Sequence, residues 1–114
     1  MSYTVYEAMP LDQMLARVQK YNPGDGYQLV ERAYKFAESA HAGQKRKSGE
    51  AFFIHPCFVA SILTELMIDP PTIAAGLLHD TVEDCEGITL ETIEHTFGEE
   101  VAHLVDGVTK LDKL

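Results

Sequence analysis

A chain of 114 residues, 46% hydrophobic and 24% charged, is long enough for one domain with a core of its own. A formal net charge of −9 argues against DNA as a partner, since proteins that read a duplex are as a rule basic. No apolar stretch is long enough to cross a bilayer, no basic segment leads into an apolar run as in a secretory leader, and Cys57 and Cys85 fit no zinc spacing. These features point to no membrane and a reduced, cytoplasmic setting.

In chain order the pattern is helical throughout, with no period-two run of β-branched residues. Residues 10–20 predict a short helix, followed by a turn at Asn22-Pro23-Gly24-Asp25-Gly26. From Tyr27 to about Ala42, Val30, Ala33, Tyr34, Ala37 and Ala40 form one stripe, with His41 four residues after Ala37, and Gly43 suits the left-handed position that ends a helix. Residues 43–52, GQKRKSGEAF, read as a polar loop whose Lys45, Arg46 and Lys47 form a basic knot; the next Lys or Arg is Lys110. Proline fits the first position of a helix, where its missing N–H would have no partner anyway, so His55-Pro56 places His55 at a cap. Phe58, Val59, Ile62, Leu63 and Leu66 are the expected apolar face of that helix. Asp69-Pro70-Pro71 repeats the device and opens a helix that turns Ile73, Ala74, Leu77 and Leu78 inward. Thr89 caps a helix ending at Phe97-Gly98, and a last one starts near Glu99 with Val101, Leu104, Val105 and Val108 on one stripe. Residues 1–26 are expected to be an N-terminal helix and turn, and residues 27–114 the chemistry-bearing domain. The stop at Leu114, soon after an apolar stripe, leads us to expect a domain truncated at its C-terminus, from a longer protein.

The most informative stretch is LLHDTVED, residues 77–84. On a helix, His79 and Glu83 lie one turn apart, as do Asp80 and Asp84, and the adjacent His79 and Asp80 can reach one point. Two carboxylates about 4 Å apart repel by about 4 kcal/mol at an effective dielectric of about 20, so such a cluster needs water, protons or a cation. Imidazole and carboxylate together suit a divalent ion such as manganese, iron or zinc. His55 offers a second imidazole; His55, His79 and Asp80 would then be three ligands from two helices, with open positions left. Taken singly, His79 reads as a core histidine donating to a backbone carbonyl, His55 as a cap, and the acids Glu91 to Glu100 as a solvated face. The apolar neighbours of Asp80 make a solvated reading of that residue costly.

The runs HAGQKRKSGEAFFIHPCFVASIL and TIAAGLLHDTVEDCEGITLETIEHTFGEEVAHLVDGVTKL closely resemble the N-terminal hydrolase domain of the RelA/SpoT homologue family, enzymes that make or degrade the alarmone (p)ppGpp. The resemblance covers roughly Tyr27 to Leu114. It implies an all-α HD-superfamily helical bundle that binds one manganese ion (Mn2+) and removes the 3′-pyrophosphate from guanosine tetra- or pentaphosphate. It further implies His55, His79 and Asp80 as metal ligands, Glu83 and Asp84 as the catalytic acid pair, and Arg46, Lys47 and Ser48 as nucleotide contacts with the arginine stacked on guanine. The family's fourth metal ligand is an aspartate well downstream of HD; Asp106 and Asp112 stand too early to be its equivalent, so that ligand is missing from this chain. Members that only synthesise have lost the HD and ED residues, which this chain keeps. Synthetase and regulatory domains elsewhere in the parent protein, and association with ribosomes, are further implications. Two other functions fit the HD and ED residues alone: an HD phosphohydrolase of another nucleotide, and a non-catalytic regulatory module that has kept the site.

Overall fold

The computed structural model describes residues 8–44 and 53–112, apart from the side chains of Ile54 and Asp112. The described residues form six helices and no strand: α1 (Leu11–Tyr21), α2 (Gly26–Ala40), α3 (Ile54–Glu65), α4 (Pro70–Asp84), α5 (Leu90–Phe97) and α6 (Glu99–Asp112). The all-helical expectation holds.

Helix α4 is the axis of the molecule. It packs against α2, α3 and α6, and Pro70, Ile73, Ala74, Ala75, Gly76, Leu77, Leu78, His79 and Thr81 are all buried, so it is covered on nearly every side. Its start is built as its sequence predicts. The Asp69 carboxylate accepts from the Thr72 backbone N–H at 3.3 Å, and Pro70 and Pro71 take the first two positions. The small residues Ala74, Ala75 and Gly76 then let neighbouring helices approach. A Cβ added at Gly76 would meet Leu63 Cδ1 of α3 at 3.0 Å, so the contact between α3 and α4 depends on the missing side chain.

Helix α3 differs from its predicted pattern. Its buried stripe is Pro56, Cys57, Ala60, Ser61 and Thr64, whereas Phe58, Val59 and Leu63 are half-buried and Ile62 and Leu66 are exposed. The physical reason lies in the hydroxyls. Ser61 donates to the Cys57 carbonyl at 2.9 Å and Thr64 to the Ala60 carbonyl at 2.8 Å, so neither brings an unsatisfied polar group into the core. Small side chains on this face let α3 lie close to the rest of the bundle. The helix also begins at Ile54, one residue before His55, which puts His55 inside the first turn; Pro56 still costs nothing there, because the first four N–H groups have no helical partner. The helix ends in a Schellman turn. Ile68 N–H donates to Leu63 O at 3.0 Å and Met67 N–H to Thr64 O at 3.1 Å, with Met67 in the left-handed region at φ 58°.

The remaining elements follow their patterns. Met14 and Val18 anchor α1 in the same core as Val30, Ala33 and Ala37 of α2. Thr89 and Thr92 form a reciprocal capping box at the start of α5, and Gly98, at φ 100°, ends it. Val101 and Val105 bury α6 against α4, with Leu104 and Val108 half-buried beside them. From α2, Arg32 donates to the Thr96 carbonyl at 2.5 Å and lies over the Phe97 ring, which fastens the end of α5. No helix among the described residues is long and apolar enough to cross a membrane.

Candidate functional site

The C-terminal turns of α4 bring His79, Asp80, Glu83 and Asp84 to one end of the bundle. His79 is buried, and its Nδ1 lies 2.9 Å from the Gly76 carbonyl. A carbonyl only accepts, so Nδ1 carries a proton and donates it. This is the backbone contact that a core histidine would make, and it also orients the ring: Nε2 is turned toward Asp80 Oδ1 at 3.1 Å. An imidazole nitrogen and a carboxylate oxygen at that distance repel through their lone pairs unless a proton or a cation lies between them. The donor set therefore fits a metal ion, with Nδ1 held by the backbone and Nε2 presented as the ligand atom, as is usual for metal-binding histidines.

Asp80 is half-buried. Burial pulls its pKa up, but the hydrogen bond and charge of His79, with His55 and His41 beyond it, outweigh burial and leave the carboxyl below its ordinary range. Three imidazoles from three helices thus act on one carboxylate: His41 at the end of α2, His55 in the first turn of α3 and His79 in α4. Glu83 and Asp84 are exposed, and ligand oxygens of Asp80, Glu83 and Asp84 all lie within 4.8 Å of one another. That grouping shares only Asp80 with the His55–His79–Asp80 set read from the sequence. The α4 macrodipole adds partial negative charge at this same end, so the arrangement favours a cation.

The structure brings His79, Asp80, Glu83 and Asp84 together, with His55 exposed on α3 and within electrostatic reach. Arg46, Lys47 and Ser48 lie outside the described residues. Asp106 pairs with Lys110 at 3.0 Å on α6. Sequence reasoning placed His41 only as the end of an apolar stripe. It is 2% exposed and belongs to the site's surroundings. The available signal was a polar ring at a core position of the helix that leads into the basic loop, with a glutamine three residues on.

Residues 33–114 match the HD domain family. The chain belongs to that family. Within it, the resemblance to RelA/SpoT homologues extends over most of the chain. A probable GTP pyrophosphokinase of Mycobacterium leprae is 48% identical over 91% of this chain. A GTP pyrophosphokinase of Streptomyces coelicolor is 59% identical over 75% of it, and a putative chloroplastic GTP diphosphokinase, RSH1, of Arabidopsis thaliana is 54% identical over 82%. The chain spans only 13%, 10% and 11% of the length of these three relatives, respectively.

Proposed function

We propose that this HD domain is a metal-dependent pyrophosphohydrolase acting on (p)ppGpp: water cleaves the bond between the ribose 3′-oxygen and its pyrophosphate, releasing pyrophosphate and GDP or GTP. The observation that carries the reading is the convergence of His79, Asp80, Glu83 and Asp84 at one helix end, with the Nε2 of a backbone-oriented histidine 3.1 Å from a carboxylate oxygen. His55, His79 and Asp80 would hold the ion, manganese by family resemblance. Once bound, a divalent cation offsets the charge of acids and phosphates and polarises the phosphoryl oxygens. Glu83 and Asp84, one turn from His79 and Asp80, would orient the attacking water through a carboxylate oxygen and take its proton. Arg46 offers a flat guanidinium for the guanine, and Lys47 and Ser48 a charge and a hydroxyl for phosphate.

The relatives are named for GTP pyrophosphokinase activity, which is synthesis. Their match to this chain covers a small part of their length, and HD and ED residues serve hydrolysis. We therefore read the hydrolytic half of such a protein here. The test is pyrophosphate release from ppGpp by the full-length protein, with this chain beside it, in Mn2+ and again with chelator. Release that depends on Mn2+ and is specific for the 3′-pyrophosphate supports the reading. Cleavage of other nucleotides in preference would point to a different HD phosphohydrolase, and no cleavage by the full-length protein to a regulatory module.

A further inference from the structure

Two side chains, Gln44 and Cys85, join the end of α2 to the end of α4. Gln44 lies in the turn that leaves α2, where its backbone N–H donates to the His41 carbonyl at 2.9 Å. Its side-chain nitrogen donates to the backbone carbonyl of Asp84 at 3.3 Å, and its side-chain oxygen stands 3.1 Å from Nδ1 of His41. The Asp84 carbonyl can only accept, which fixes the amide with its nitrogen toward α4 and its oxygen toward His41. The amide oxygen also only accepts, so His41 carries a proton on Nδ1. Cys85 fits the same pattern. Its Sγ lies 3.5 Å from that Nδ1 and 3.7 Å from the Gln44 nitrogen, and its S–H donates to the Ala40 carbonyl at 3.3 Å. Burial raises the pKa of Cys85, which keeps the thiol protonated and able to donate.

Asp84 is the last residue of α4, and its carbonyl is one of those that a helix end leaves without a helical partner. Gln44 supplies the partner from the turn that leaves α2. Glu83 and Asp84 make no ion pair among the described residues, so side-chain pairing does not fix the turn that carries them. We propose that Gln44 is a positioning residue: by tying the Asp84 carbonyl to His41, it holds the last turn of α4, and with it the Glu83–Asp84 acid pair, in the orientation used in the reaction. The catalytic part of this proposal rests on the hydrolytic reading above. Misplacement of reacting groups by about 1 Å costs about a hundredfold in rate, and loss of a single neutral tie loosens the turn by less than that, so the expected loss is about tenfold.

The test uses the full-length protein with Gln44→Met, which keeps the side chain's length and removes both hydrogen bonds, and Gln44→Glu, which keeps the acceptor for His41 but not the donor for Asp84. Pyrophosphate release gives kcat and KM, and hydrogen exchange read by mass spectrometry follows the end of α4. The expected result is kcat lower by about tenfold in both variants, with KM, Mn2+ binding and Tm unchanged and faster exchange around residues 81–86. Wild-type kcat or wild-type exchange in Gln44→Met overturns the proposal. So does a rate loss that comes with a matching loss of Tm and Mn2+ binding, since that describes a general structural defect. A wild-type protein that releases no pyrophosphate removes the catalytic role together with the hydrolytic reading, while faster exchange in Gln44→Met would still establish the tie between the two helices.

Discussion

Two acidic regions lie close together in this chain and differ in kind. Asp80, Glu83 and Asp84 end a buried helix, converge to within 4.8 Å and face a histidine whose ring is oriented by the backbone. Glu91, Glu94, Glu99 and Glu100 on α5 and α6 are all exposed, and among the described residues they form no comparable grouping. They line shallow surface grooves with Thr89, Thr92, His95 and His103. The second region is as rich in carboxylates as the first. What separates them is what stands beside the acids: Asp80 is half-buried against the buried His79, and Glu83 and Asp84, though exposed, converge with it, while the acids of α5 and α6 only face water. Acid density alone therefore does not single out the candidate site; convergence beside a fixed imidazole does.

That contrast can be broken most sharply at Asp80. Asp80→Asn should abolish Mn2+-dependent hydrolysis by the full-length protein and remove most bound metal; retained metal content, read by elemental analysis, would undo the assignment. Glu83→Gln should lower kcat by about 10² to 10⁴-fold, the usual size of a general acid–base contribution, with Tm little changed. Kinetics beside a thermal melt decide this, and a fully active variant takes Glu83 out of the mechanism. In the other region the cap should matter and the acids should not. Thr89→Ala removes half of the capping box and should cost about 1 kcal/mol in denaturant unfolding. Glu94→Gln should shift stability by no more than about 0.5 kcal/mol and leave turnover intact. A larger loss of activity in Glu94→Gln than in Glu83→Gln would reverse the comparison.

Much of this was legible in the sequence because local chemistry and burial agree. Asp69 before two prolines, Thr89 as a cap, and the stripes of α4 and α6 are each specified by neighbours a few residues away. Helix α3 shows where that reasoning fails. Its large apolar residues Ile62 and Leu66 are exposed while Ser61 and Thr64 are buried, because hydroxyls that bond to carbonyls one turn back behave as small core residues. Hydrophobicity does not encode that choice; closeness of packing does. At the site, His79, Asp80, Glu83 and Asp84 could be found because they share one helix and its periodicity. His41 and Gln44 could not, since their contacts to Cys85 and Asp84 span 44 and 40 residues of sequence and exist only once α2 lies on α4. The nucleotide-binding role proposed for Arg46, Lys47 and Ser48 comes from the family resemblance, as these residues lie outside the described structure.

The central position of α4 has a thermodynamic consequence. The helix that carries His79 and Asp80 also holds α2, α3 and α6 together, so a cation bound at its end acts on the folding equilibrium of the whole bundle. A ligand that binds only the folded state stabilises it by about 2.7 kcal/mol at a hundred times its Kd. The melting temperature would then rise with Mn2+ concentration, in step with its logarithm above Kd, and the concentration at which the rise begins would report affinity without any substrate present.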